Sequence, residues 1–94
     1  MESTIQLLDK ALSSVRQTDP KASERSFSKQ LGLSPAALSV ARHRGNLSPI
    51  AAGQVALLLG ENVEHWMAVA AIEAEPKSRA TEQLRRMLTT VRNS

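Results

Sequence analysis

The chain has 94 residues, the length of one domain, and burying about 60–65% of its extended-chain surface leaves little room for a cleft between lobes. A hydrophobic share of 41% excludes wholesale disorder, one Phe, one Trp and no Tyr make the core aliphatic, and the absence of cysteine excludes disulfides, thiolate nucleophiles and Cys-based metal sites. The net charge of +3 is unevenly spread: residues 21–46 carry Lys21, Arg25, Lys29, Arg42 and Arg44 against Glu24, residues 47–76 carry only Glu61, Glu64, Glu73 and Glu75, and residues 77–94 carry Lys77, Arg79, Arg85, Arg86 and Arg92 against Glu82.

Such blocks suit a polyanionic partner for one basic segment and self-pairing for another. Glu2, Asp9 and Lys10 interrupt the apolar positions of residues 1–15, unlike a secretory signal. The longest apolar run, Trp66 to Ile72, is far below the ~18 residues that span a bilayer. A cytoplasmic protein with no membrane partner is expected.

Apolar residues recur at helical spacing throughout, and no stretch alternates long enough for a strand. Ser3 and Gln6 have capping-box spacing, and Ile5, Leu8, Leu12 and Val15, widened by Leu7 and Ala11, form the stripe of a first helix ending near Arg16 before Asp19-Pro20. A second, short helix over about 23–31 buries Phe27 and Leu31 and stops at Gly32. Leu33 turns inward, and Ser34-Pro35 opens a third helix as N-cap and first helical residue; it buries Leu38 and Ala41 and stops at Gly45. Ser48-Pro49 opens a fourth, with Ile50, Val55, Leu58 and Leu59 as its apolar face and Gly60 as its stop. Asn62 caps a fifth through about Glu75, and a sixth over about 78–92 aligns Ala80, Leu84, Met87, Leu88 and Val91. The expected fold is all-α, five to six short helices in a bundle, with a main domain over 1–75 and a C-terminal helix over 76–94 that packs on the domain or on a second copy.

The informative segment is SERSFSKQLGLSPAALSVARHRG, residues 23–45. Two helices joined through Gly32-Leu33-Ser34 must cross steeply, with Phe27, Leu31, Leu33, Leu38 and Ala41 inward and a small residue, Ser28, at the closest approach. This pattern resembles the helix-turn-helix of the lambda-repressor/Cro-like family, over roughly residues 3–72, and the run LLLGENVEHWMAVAAIEAEP looks like small phage-related regulators that append a helical hairpin. The resemblance implies double-stranded DNA as partner and a repressor-type role in transcription; no enzymatic activity or cofactor is expected, and the uncovered strip of the last helix points to a homodimer through residues 62–92. The resemblance places the third helix, 35–44, in the major groove.

On the matching positions, Ala36, Ser39, Val40 and His43 face the bases, with Pro35 beside them. Arg42, Arg44, Lys29, Arg25, Ser34 and Asn46 face phosphates. Pro35, Ala36 and Val40 cannot form bidentate bonds to adenine or guanine and can only touch thymine methyls, so direct reading falls to Ser39 and His43, helped by Arg42. Glu24 stands where the family often places a phosphate-contacting Gln, and its charge repels phosphate. Specificity then leans on DNA shape, or the apolar face meets protein, as in an inhibitor or antitoxin-like module. RNA binding through Arg85, Arg86 and Arg92 lacks aromatics for stacking.

The same residues have plainer roles. Arg42, His43 and Arg44 favour the carboxyl-end dipole of their helix. His43 and His65 lack metal-ligand spacing, and His65 is expected at the surface. Trp66, Met67 and Met87 read as packing, and Glu73 and Glu75 as partners of Arg79 or solvated groups. No nucleophile elbow or Gly-rich phosphate loop occurs. The apolar strip of the last helix needs a cover, either the fifth helix or the same strip of a second copy.

Overall fold

The computed structural model describes residues 2–92. These residues form six α-helices and no strand: α1 (Thr4–Thr18), α2 (Glu24–Gln30), α3 (Ala37–Arg44), α4 (Pro49–Leu59), α5 (Val63–Glu73) and α6 (Arg79–Arg92). No helix among them is long and apolar enough to cross a membrane.

Local chemistry sets most of the boundaries. The Ser3 hydroxyl accepts from the Gln6 N–H at 3.1 Å while the Gln6 side chain accepts from the Ser3 N–H at 2.8 Å, which satisfies two otherwise orphaned donors. Ser23 and Ser26 make the same reciprocal pair at the start of α2. Ser48 caps α4 with Pro49 in its first turn, and Asn62 caps α5. α1 runs two residues past Arg16, and α5 ends at Glu73 rather than Glu75. Gly32, at φ +76°, lets the chain leave α2: the Leu33 N–H returns to the Ser28 carbonyl at 2.9 Å and the Gly32 N–H to Lys29 at 3.0 Å.

α3 begins differently from expectation. Residues 34–36 form a turn closed by the Ala37 N–H on the Ser34 carbonyl at 3.0 Å, and the N-cap is Ala36, without a side-chain bond. Ser34 is therefore not the cap, and the connection between α2 and α3 is six residues long rather than three. The missing cap comes from the neighbouring helix. The Ser28 hydroxyl, fully buried, accepts from the Leu38 N–H at 3.2 Å.

The core is aliphatic around two rings. Leu7, Leu8, Ala11 and Leu12 of α1 meet Phe27, Leu31, Leu38, Ala41 and Leu47 on one side and Ala51, Ala52, Val55, Ala56, Trp66, Val69 and Ala70 on the other. α4 buries Ala51, Ala52, Gly53, Val55 and Ala56; of the expected face Val55 is buried and Leu59 half-buried against the core, whereas Ile50 and Leu58 are exposed, and so is Leu57. The reason is close approach. α4 packs on both α1 and α5, and a Cβ on the buried Gly53 would lie 3.0 Å from Met67 Cγ. Gly53 leaves this seam without a side chain between the helices. His65, expected at the surface, is buried with its ring edge-on to Trp66 at 5.4 Å.

α6 packs on α5, but by the edge of its apolar strip. Thr81 is buried and Leu88 touches the core, whereas Ala80, Leu84 and Met87 face outward. Met87 is thus not packing within the chain, and the side chain of Val91 lies outside the described residues.

One buried network joins three distant segments. The Thr4 hydroxyl accepts from the Leu47 N–H at 2.8 Å and donates to Glu73 Oε1 at 2.5 Å, while the Thr4 N–H donates to both Glu73 oxygens at 3.2 and 3.3 Å. The carboxylate thereby sits at the positive end of the α1 dipole, and Leu47, which leads into α4, is fixed to the start of the chain. Thr4→Val keeps the shape and orphans the buried Leu47 N–H, so it should cost about 1–3 kcal/mol as a lowered urea midpoint. An unchanged midpoint would show that the network is dispensable.

Candidate nucleic-acid interface

α3 presents one face to the core and the opposite face to solvent. Leu38 and Ala41 are buried, while Ala36, Ser39, Val40 and His43, at helical spacings of three and four, are all exposed. The four residues expected to face bases thus form one continuous open strip. Pro35 lies half-buried at its start. The Ser39 hydroxyl donates back to the Ala36 carbonyl at 3.1 Å, leaving its lone pairs outward as acceptors. Val40 is 49% exposed, a large apolar surface at the centre of the strip.

The cations around this face fall into two groups. Arg25 and Lys29 on α2 and Arg44 at the end of α3 are exposed, and none makes an ion pair or side-chain hydrogen bond with another described residue. Arg42 is different. Its Nη2 donates to Asp9 Oδ1 at 2.5 Å and its Nε to Glu24 Oε2, so α1 and α2 both grip α3 through one guanidinium. Hydrogen bonding to Glu24, then to Asp9, raises the Arg42 pKa further above its already high ordinary value, against a smaller opposing effect of burial. Its charge is fully compensated where it stands.

The remaining expected contacts are spread out. Ser34 is exposed on the turn before α3, and Asn46, half-buried after α3, donates its amide to the Leu47 carbonyl at 3.2 Å. Glu24 does not stand open to repel phosphate, because Arg42 covers it.

Asp9 was missed by sequence reasoning. It lies thirty-three residues from Arg42, and only its place on the outer face of the first helix hinted at a tertiary partner. A shallow hollow lined by Asp9, Leu12, Ser13, Arg16, Gln17 and Arg42 opens beside the pair, and Arg16 in it donates to the Ala22 carbonyl at 2.9 Å. Both arginines of this hollow serve to attach the α2–α3 unit to α1.

Two half-exposed ion pairs of this kind contribute up to ~1 kcal/mol each, and removing their shared cation leaves two carboxylates facing one another. Arg42→Ala should therefore lower stability by about 1–2 kcal/mol at low salt, with the loss shrinking as salt is raised. Combining it with Asp9→Asn and Glu24→Gln should recover part of the loss in the same urea titration. A triple variant no more stable than Arg42→Ala would deny the repulsion.

No family model matches this chain, and neither the curated proteins nor the solved structures hold a match to it.

Proposed function

We propose that the protein is a DNA-binding transcriptional regulator, a phage-type repressor acting in the cytoplasm as a homodimer, that lays α3 in the major groove of duplex DNA. The observation that carries this reading is the open strip Ala36–Ser39–Val40–His43, flanked by the uncompensated cations Arg25, Lys29 and Arg44. A helix is narrow enough to enter the major groove, and cations beside it displace the counterions of phosphates.

In this reading Arg25, Lys29 and Arg44 hold phosphates, with Ser34 and Asn46 as polar neighbours. Ser39 and His43 touch base edges. With its proton engaged on Ala36, the Ser39 hydroxyl accepts, which suits the amino groups of adenine and cytosine. Ala36 and Val40 suit thymine methyls. Arg42 positions α3 and contacts phosphate only where Asp9 and Glu24 release it.

The 49% exposure of Val40 favours a second reading, a protein-interaction module of inhibitor or antitoxin-like type that uses the same strip. Titration of a random duplex library at stated salt concentrations separates the two. DNA binding predicts a log–log salt slope that steepens by about 0.9 per phosphate contact. Arg44→Ala should flatten the slope by about 0.9 and weaken all sites alike, whereas Ser39→Ala should shift preference among sites. The Asp9→Asn, Glu24→Gln double variant, which releases Arg42, should tighten binding and steepen the slope. No shift of any duplex at low salt, with stoichiometric capture of a protein that Val40→Glu abolishes, would replace the DNA reading by the protein one.

A further inference from the structure

Two apolar surfaces are left open on opposite partners of the α5 packing. One is the strip Ala80, Leu84 and Met87 of α6, whose hollow also includes Gln83 and Arg86; Leu84 and Met87 are 48% and 61% exposed. The other is the α4–α5 seam, a groove lined by Ile50, Gly53, Gln54, Leu57, Val63 and Met67, with Ile50 and Leu57 63% and 64% exposed. α6 packs on its own α5 with Thr81 buried and Leu88 against the core, while the strip itself stays exposed.

We infer that two copies of this chain associate by exchange, the Ala80–Leu84–Met87 strip of each seating in the Ile50–Leu57–Met67 groove of the other. This rests on the two-copy clause of the proposed function and specifies how that dimer is made. Charge selects this arrangement over the simpler pairing of α6 with its own copy. Residues 77–94 carry five cations and one carboxylate, so α6 against α6 would bring two cationic helices together. Residues 47–76 carry four carboxylates and no Lys or Arg; Glu61 pairs with Lys10 and Glu73 with Thr4, which leaves Glu64 as the carboxylate beside the groove. Glu64, exposed and one residue from the groove-lining Val63, stands at the rim. Opposite charge at the rim fixes the register of an apolar contact, and like charge there disfavours the wrong one.

Shape agrees. Gly53 gives the groove a floor without a side chain, and Met67 offers a deformable wall. A strip of Ala, Leu and Met at helical spacing is a ridge of matching kind. Because strip and groove are different surfaces, a two-fold axis makes the contact twice, which closes the assembly at two copies.

Sedimentation equilibrium of the full chain tests this without DNA. Wild type should sediment at twice the chain mass, and both Leu84→Glu and Leu57→Glu, each at an exposed position, should return it to the monomer with the helical circular dichroism intact. Glu64→Lys should weaken the dimer several-fold. A dimer that survives Leu57→Glu and Glu64→Lys but not Leu84→Glu would mean that α6 pairs with α6, overturning the inference. A monomeric wild type would overturn it too, as would a monomer that binds anionic phosphatidylserine vesicles through Leu84 and Met87. Duplex binding by such a monomer would leave the DNA reading intact, and an exchanged dimer that shifts no duplex would remove that reading while leaving this one.

Discussion

The bond from the Leu38 N–H to the buried Ser28 hydroxyl decides where α3 can lie. A helix start that enters the interior must find acceptors for its first amides, and residues 34–36 supply none from their side chains. The acceptor, the Ser28 hydroxyl, comes from α2. That single bond makes the two helices one unit, because α3 cannot rotate or slide without orphaning a buried donor at about 1–3 kcal/mol. The outward strip of α3 is therefore held in place by what happens on its inward side.

The α2–α3 unit is in turn attached to the rest by charge and by backbone. Arg42 reaches Asp9 on α1 and Glu24 on α2, Arg16 holds the Ala22 carbonyl just before α2, and Thr4 holds Leu47 just after α3. These attachments lie at both ends of the segment, and the aliphatic core fills the space between. The consequence is a division of labour among cations that look alike in the sequence. Those with carboxylates in reach fix the scaffold, and those without, Arg25, Lys29 and Arg44, give the face its positive potential. Treating all four as equivalent overstates the charge available to a polyanion by one.

The boundaries of the elements were legible in the sequence because they are set locally. Ser3, Ser23, Ser48 and Asn62 act within three residues of themselves, and Gly32 acts within a turn. What was illegible depended on distant partners. α4 is apolar nearly all round, so its periodicity only partly selects the buried face, and the packing of α1 and α5 on it buries Ala51, Ala52, Gly53, Val55 and Ala56 rather than Ile50 and Leu58. Ser34-Pro35 has the chemistry of a helix start, yet Ser28 took over its task from another helix. His65 is polar in type but lies on the same side of α5 as the residues around Trp66, and burial followed the face. In the candidate interface, the strip Ala36–Ser39–Val40–His43 followed from the positions that match the resembled helix-turn-helix pattern, and its exposure from the helical spacing. The neutralisation of Arg42 was not legible, since Asp9 is remote in sequence.

In the proposed DNA reading, a face with one serine, one histidine and two apolar residues discriminates bases by hydrogen bonding less than bidentate side chains do, each of which provides about 1–3 kcal/mol. Three uncompensated cations per copy likewise give one domain only a modest electrostatic grip. Under that proposal both deficits would be answered by presenting the face twice at a fixed separation, since contacts made together on one duplex reinforce each other through effective concentration. The proposed exchange of α6 would then carry specificity through the geometry it sets between copies. The last helix is the least buried of the six over its described residues, yet its apolar strip points away from its own domain. Left open by its own domain, the strip is the surface that the proposed exchange would use to set the distance between two copies of α3.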